Sequence, residues 1–315
     1  MQEIRKGPVI TFLLLLSLGL SACAPQLVLP GPKVTAPKIT ETALIMADGA
    51  KLPLHRWTPK QPPKAIILAQ HGFNDYGLFV KEGAQFFAAQ GFQVYAYDQR
   101  GFGAAPHFGQ WPGRTALADD LVTTTKLLRQ KHPDVRLYHM GASMGGAIIM
   151  TAATRDSQLK SDGLILAAPA VWGRASMRFY ERWALGLLSH TVPWLTLTGK
   201  GLDIKPSDNI AMLRDLGRDP LIIKATRVDT IWGLVNLMDD ALAAAPKLNA
   251  KSLILYGDHD EVIKKKPTEM MLANLPKSAK PSHELIRYKD GYHMLLRDLQ
   301  AQKVWQDIVS WIDEK

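Results

Sequence analysis

A single cysteine, Cys23, stands in the whole 315-residue chain, so an internal disulfide is excluded as a source of stability. Long apolar runs are scarce as well. The run that stands out, Val9 through Leu20, has about a dozen residues against the ~20 a helix needs to cross a bilayer, and is too short for a lone spanning helix. Acidic residues are in deficit: 29 Asp and Glu face 38 Lys and Arg, a net charge of +9. Such a balance suits a polyanion. No basic stripe interleaved with stacking aromatics is present, however, which argues against nucleic acid and leaves anionic lipid headgroups as the simpler partner. No internal repeat stands out, and no low-complexity tract beyond one Pro-rich stretch.

The amino terminus has the layout of a secretory signal: Arg5 and Lys6, then the apolar run, then Leu20-Ser21-Ala22-Cys23. Small residues directly before a cysteine resemble a lipobox, in which a bacterial lipoprotein signal is cleaved and the cysteine becomes the lipidated first residue. Residues 1–22 are therefore expected to be the signal and Cys23 the lipidation site, with an ordinary signal and a coincidental cysteine as the alternative. Cleavage there removes Glu3, Arg5 and Lys6 and leaves a net charge of +8. Ala24, where an Asp would mark retention, resembles the pattern sent on to an outer membrane. The expected location is the bacterial cell envelope, lipid-anchored on the periplasmic side of the outer membrane. Residues 23–40 carry Pro25, Pro30, Pro32 and Pro37 and no helical period. At roughly 3 Å per residue they read as a tether reaching up to about 50 Å from the membrane surface.

The chemistry is concentrated at the ends of apolar, strand-like segments. Leu137 through Gly146 is a short strand pattern that runs into Gly141-Ala142-Ser143-Met144-Gly145. Gly-x-Ser-x-Gly between a strand and a helix is a nucleophile elbow, which exposes the Ser hydroxyl on a sharp turn; a purely structural Gly-rich turn is the alternative. A nucleophilic Ser143 needs a base and an acid to orient it, in the chain order Ser, Asp or Glu, His. Downstream, Ser252 through Gly257 reads as a buried strand followed by Asp258-His259-Asp260-Glu261, and Glu284 through Tyr288 as another followed by Lys289-Asp290-Gly291-Tyr292-His293. His293 is the candidate base, with His259 as its rival. His139 reads as packed inside the strand, and His55, His107, His132, His190 and His283 show no acid partner from position. Asp260 is the candidate acid; Asp258, nearer the strand, reads as a turn cap. The cluster 258–261 also has the ligand types of a metal site, but no second cluster completes a shell. Ala65 through Gln70, running into His71-Gly72-Phe73, supplies the last piece. An acyl-transfer oxyanion needs two backbone N–H donors, and Met144 and Phe73 are the candidates.

Strand-like runs near 42–47, 51–57, 65–70, 92–97, 136–140, 163–168, 252–256 and 284–288 alternate with helical patterns near 77–90, 115–132, 144–155 and 298–314. The first two strands predict an antiparallel hairpin. The rest, apolar throughout, predict a mostly parallel sheet with helices on both faces, in one large domain over 41–315. The interval between 168 and 252 is too long for an ordinary connection and predicts a helical cap over about 170–248. Phe179, Trp183 and Leu187, four apart, with Tyr180 and Leu188 beside them, form a wide stripe on one helix. Together with Trp172, Trp194, Leu195, Leu197 and Trp232 it is expected to pack the cap onto the core, with a subset lining an acyl-chain tunnel over Ser143. Lys264-Lys265-Lys266 reads as a solvated helix start or a membrane-facing patch.

Taken together, these segments resemble the monoacylglycerol lipase and lysophospholipase branch of the α/β-hydrolases, of the serine aminopeptidase S33-like type. The matching residues are His71-Gly72-Phe73, Tyr97 through Gly103, Gly141 through Gly146, Asp219-Pro220-Leu221, Gly257 through Asp260 and Gly291-Tyr292-His293, spread over about residues 40–315. The resemblance implies an α/β-hydrolase fold, a triad of Ser143, Asp260 and His293, and an oxyanion hole of the Phe73 and Met144 amides. It implies a serine hydrolase that cleaves esters of single-chain lipids without metal or organic cofactor. One departure is Asn74-Asp75-Tyr76-Gly77, which lacks an acid-His pair often found after His-Gly and bears on glycerol recognition. The competing readings are a broad carboxylesterase, an acyltransferase on small esters, and a non-catalytic lipid-binding lipoprotein.

Overall fold

The computed structural model describes residues 24–155, 159–277 and 283–314. The signal and Cys23 lie outside the described residues. In chain order the strands are β1 (Lys38–Ile39), β2 (Ala43–Ile45), β3 (Lys51–Trp57), β4 (Ala65–Gln70), β5 (Phe92–Tyr97), β6 (Leu137–Ala142), β7 (Gly163–Ala167), β8 (Thr196–Thr198), β9 (Ala225–Arg227), β10 (Ser252–Gly257) and β11 (His283–Tyr288). The helices are α1 (Lys81–Ala89), α2 (Arg114–Lys131), α3 (Met144–Thr154), α4 (Phe179–Thr191), α5 (Ile210–Arg218), α6 (Val228–Ala244), α7 (Lys265–Asn274) and α8 (Ala301–Asp313).

Nine strands form one sheet in the order β1-β2-β3-β5-β4-β6-β7-β10-β11. The strands from β5 to β11 in that order are parallel, and β1, β2 and β3 are antiparallel at one edge. This is the α/β-hydrolase architecture expected from the sequence. Side chains alternate across each parallel strand and so feed two cores. Ile66 and Leu68 of β4 join Leu121 of α2, Ile148 of α3 and Val235 of α6 on one face. Ile67 and Ala69 of the same strand join Phe87 of α1 and Ile308 and Trp311 of α8 on the other. Burial on both faces explains why these strands, apart from the half-exposed edge strand β11, read as continuous apolar runs. Among the described residues, every regular element and both cores lie within residues 38–313, and both cores are built from residues that follow Cys23.

Two features differ from the sequence reading. Within 170–248, α6 packs on α3 in the main core, so the part standing clear of it is α4, α5 and the two-stranded ribbon β8–β9. The ribbon strands have three residues each, too few to show a period. The Pro-rich segment is also docked where a free tether was expected. Val28 N–H donates to the Trp111 carbonyl (2.9 Å), Gly31 N–H to Asp48 (3.3 Å), and Val34 N–H to Ala47 (2.8 Å). Proline leaves the backbone without internal partners, and the domain supplies them.

Candidate active site

The parallel strands end on one edge of the sheet, and the loops that follow β4, β6, β10 and β11 all meet there. Such an edge is where open α/β sheets build their sites. Ser143, between β6 and α3, has φ 51° and ψ −116°, a conformation that a residue with a side chain adopts at a penalty of about 1–3 kcal/mol. Three hydrogen bonds hold it there. Its N–H donates to Ala167 O (2.9 Å), and its carbonyl accepts from Ala147 (3.2 Å) and Ala170 (2.9 Å). The flanking glycines are required by space: a Cβ on Gly145 would lie 2.3 Å from the Gln70 carbonyl oxygen, and one on Gly141 2.5 Å from the backbone of Gly145 and Gly146.

Asp260 and His293 are brought together. The buried Asp260 carboxylate accepts the N–H groups of Val262 (2.9 Å) and Ile263 (2.8 Å) on Oδ1, which leaves Oδ2 facing His293 Nδ1 at 2.9 Å. A proton on Nδ1 follows from that contact, and Nε2 is the imidazole nitrogen left with a lone pair. Asp298 steadies the histidine loop: its carboxylate accepts Tyr292 N–H (2.8 Å) and Ser207 O–H (2.6 Å). Burial pushes the Asp298 carboxyl above its ordinary value, against the pull of those same hydrogen bonds. The rest of the acidic cluster disperses. Exposed Asp258 faces Arg287, His259 stacks on Tyr292, and Glu261 accepts the Lys205 N–H. His259 therefore lies outside the pair, and the four residues aim at four different partners.

Met144 opens α3, where an N–H has no acceptor within the helix and the helix dipole favours negative charge. The opposing loop, His71 to Phe73, approaches closely: a Cβ on Gly72 would lie 3.4 Å from the Ser143 Cβ. His71 pins that loop. Its Nε2 accepts Gln99 N–H (3.0 Å), so Nδ1 carries the proton and donates to Gly72 O (2.8 Å), and Gln99 Nε2 donates to the His71 carbonyl (3.0 Å). Complete burial lowers the His71 pKa and keeps it neutral. The sequence reading passed over this role, since Gln99 is twenty-eight positions away. Phe73 is backed by the rings of Phe102 (5.8 Å) and Trp111 (6.4 Å).

Ser143, Phe73 and His293 all line one cavity of about 760 Å³, whose other walls are mostly apolar, among them Trp172, Leu185 and Met238. One charged pair, Asp75 with Arg297, also lines it. The Asn74-Asp75-Tyr76 segment ties the loop after β4 to the cap. Asn74 Nδ2 donates to Thr226 Oγ1 (2.7 Å), and Tyr76 O–H donates to Asp219 (2.7 Å), the Asp of the Asp-Pro-Leu motif.

The aromatic stripe of α4 departs from expectation. Phe179, Trp183 and Leu187 neither pack on the core nor line the cavity; they are 82%, 69% and 46% exposed. The helix turns Leu185 to the cavity instead. Trp172 and Leu197 do line the cavity, and Trp232 is covered by His190 and Arg174. Lys264, Lys265 and Lys266 are exposed where α7 begins.

The sequence model of the Hydrolase_4 family, described as serine aminopeptidase, S33, matches residues 61–300. The chain belongs to this family. That S33 match takes in the elbow, the Asp260–His293 pair and the cap between them. Monoglyceride lipase of Rattus norvegicus is 28% identical over 284 residues, covering 86% of this chain and 90% of that protein. Monoacylglycerol lipase of Mycolicibacterium smegmatis is 24% identical over 288 residues, covering 87% and 96%. Among solved structures, a soluble variant of monoglyceride lipase from Saccharomyces cerevisiae superposes with a TM-score of 0.71 at 21% identity, over 91% of this chain and 98% of that one. At that identity the superposition speaks for the fold alone.

Proposed function

We propose that this S33-family protein is a serine hydrolase of carboxylic esters of single-chain lipids, monoacylglycerols first and lysophospholipids second. The observation that carries the reading is one cavity in which a strained Ser143 and an Asp260-held His293 open into about 760 Å³ of mostly apolar wall. His293 Nε2 takes the Ser143 proton as the oxygen attacks the ester carbonyl. The Phe73 and Met144 amides receive the negative oxygen, the alcohol leaves with the proton from His293, and water then frees the fatty acid from the acyl-serine. An apolar cavity of this size suits an acyl chain, and the relatives named monoglyceride lipase support the headgroup class. The signal pattern and the Ser21-Ala22-Cys23 motif support lipidation at Cys23 and a place in a bacterial envelope, on the periplasmic side of an outer membrane.

Fatty-acid release from monoacylglycerol, lysophospholipid and a short water-soluble ester tests this, beside Ser143→Ala. The expected result is release from at least one of the two lipids, lowered by on the order of 10⁴-fold or more in the variant. Turnover of the short ester alone would overturn the lipid assignment. No turnover at all would overturn the hydrolase assignment in favour of an acyltransferase or a lipid binder.

A further inference from the structure

No helix or strand holds His293. It lies between β11 and α8, where residues 289–300 form turns and loop, and the cap segment that faces it, residues 199–209 between β8 and α5, is equally irregular. Backbone groups outside helices and strands must find partners elsewhere, and here the two segments supply them to each other. Met294 N–H donates to the Pro206 carbonyl (3.0 Å), Asn209 Nδ2 to the Arg297 carbonyl (3.0 Å), and Leu299 N–H to Asp208 (2.9 Å). Ser207 Oγ donates to Asp298 Oδ1 (2.6 Å), a bond between two buried side chains. The same cap segment reaches the acid loop, where Lys205 N–H donates to Glu261 (2.7 Å).

These contacts bracket the histidine. Tyr292 N–H, just before His293, is held by Asp298 Oδ2 (2.8 Å), and Asp298 is held in turn by Ser207. Met294 N–H, just after His293, is held by Pro206. Two consecutive cap residues thus fix the chain on both sides of the imidazole. A proline suits this place, because its ring fixes φ and leaves its carbonyl less freedom to lose when it accepts. The bond to Asp260 orients the His293 ring, and the position of its backbone is left to the cap. Ile204 and Pro206 also line the cavity beside Met294. One segment is therefore both a wall of the cavity and a hold on the histidine.

We propose that Pro206, Ser207 and Asn209 are positioning residues for His293: the cap segment 205–209 clamps the histidine loop, so that Nε2 stands ready for the Ser143 proton only while this segment is seated. The inference rests on the ester-hydrolase reading for the role of His293, and not for the clamp itself. Misplacing a catalytic group by about 1 Å can cost about 10²-fold in rate, and a loop loosened at one of its ties should lose part of that.

Two substitutions test the clamp in the full-length chain. Ser207→Ala takes the hydroxyl from Asp298; Asn209→Ser keeps an oxygen to cap α5 but withdraws the donor from the Arg297 carbonyl. The rate per active site, counted with a serine-directed phosphonate, is measured on a long-chain monoacylglycerol and on a short water-soluble ester. Ser207→Ala is expected to lower kcat by about 10-fold and Asn209→Ser by about 3-fold, each by the same factor on both esters, with KM within about 2-fold of the parent. Amide hydrogen exchange of residues 292–299 should quicken by about 10-fold in Ser207→Ala, with that of β10 unchanged. A segment that only walls the cavity would raise KM for the monoacylglycerol and spare the short ester; that result, or an unchanged kcat, would overturn the clamp. A tie that serves folding alone would lower urea stability and the number of active sites while the rate per site held, and would overturn it as well. If the parent turned over neither ester, the hydrolase reading would fail and exchange alone would decide: quickened exchange would leave the clamp standing, and unchanged exchange would overturn it.

Discussion

Among the described residues, two histidine–aspartate pairs have nearly the same construction. His293 Nδ1 stands 2.9 Å from Asp260, and His55 Nε2 stands 3.0 Å from Asp98. In each, the carboxylate is buried and braced by two backbone N–H groups: Val262 and Ile263 on Asp260, Gly77 and Ala104 on Asp98. What separates them is the neighbourhood of the imidazole. His293 opens into the cavity that holds Ser143. His55 lies on β3, and a Cβ on Gly77 would sit 2.4 Å from its Cδ2. The His55 side chain is 23% exposed and does not line the cavity that holds Ser143. A His–Asp pair is thus a way of fixing a ring, and the chemistry depends on what the fold sets opposite its other nitrogen.

The sharpest break between the pairs should come from His293→Ala. It removes the proposed base, and ester turnover is expected to fall by on the order of 10⁴-fold or more with urea stability within about 1 kcal/mol of the parent. Asp260→Asn keeps the shape but no longer favours the proton on Nδ1, so kcat should drop by about 10³–10⁴-fold. A variant at either position that kept its rate would erase the distinction.

His71 offers a third histidine by which to sharpen it, one that is buried, neutral and without a carboxylate partner in direct contact. His71→Asn should release the Gly72–Phe73 loop and lower kcat by about 10²-fold, with KM nearly unchanged, because in the proposed mechanism the loop acts when charge develops on the oxyanion. Asp98→Ala, in contrast, should act on stability. It strands two backbone amides and His55, at an expected loss of about 3 kcal/mol in urea unfolding, with ester turnover at low temperature unchanged. The pH dependence has a definite sign. Burial opposes charge on Asp98, but the hydrogen bonds from His55, Ala104 and Gly77 prevail and hold its pKa below the ordinary 3.8. Its contribution is therefore present above about pH 4 and is lost as the pH falls through the folded pKa, so Asp98→Asn should flatten the acid limb of stability against pH.

Which parts were legible in the sequence follows from how local each signal is. The elbow at Ser143 is local: strand, tight glycines and helix are contiguous, and the structure shows the same glycines pressed against backbone. The parallel strands inside the sheet were legible because burial on both faces leaves no alternation to misread. Asp260 and Asp258 were separable only by their distance from the strand, whereas the structure separates them by the amides that Asp260 accepts. His55 was read as partnerless because its acid is forty-three positions away, and a pairing across β3 and β5 leaves no trace in spacing. The α4 stripe was legible as amphipathic and illegible in direction, since a period of 3.6 residues says that a face is apolar without saying what covers it. The Pro-rich segment misled for the opposite reason. Its docking runs largely through backbone N–H groups, which every residue type but proline carries.

The smallest effect belongs to His55 itself. His55→Gln keeps a side-chain N–H at a length able to reach Asp98, and the two amides on that carboxylate stay in place. The expected loss is under about 1 kcal/mol in urea unfolding, with ester turnover unchanged. The same substitution at His293 supplies an amide with no lone pair on nitrogen to accept the Ser143 proton, and should lose on the order of 10³-fold or more. Measured side by side, the two Gln variants hold side-chain chemistry constant and change only the position in the fold. A slowed ester rate in His55→Gln would mean that the β3–β5 pair reaches the reacting atoms through the Asp98 loop, and the division between a structural and a catalytic pair would have to be redrawn.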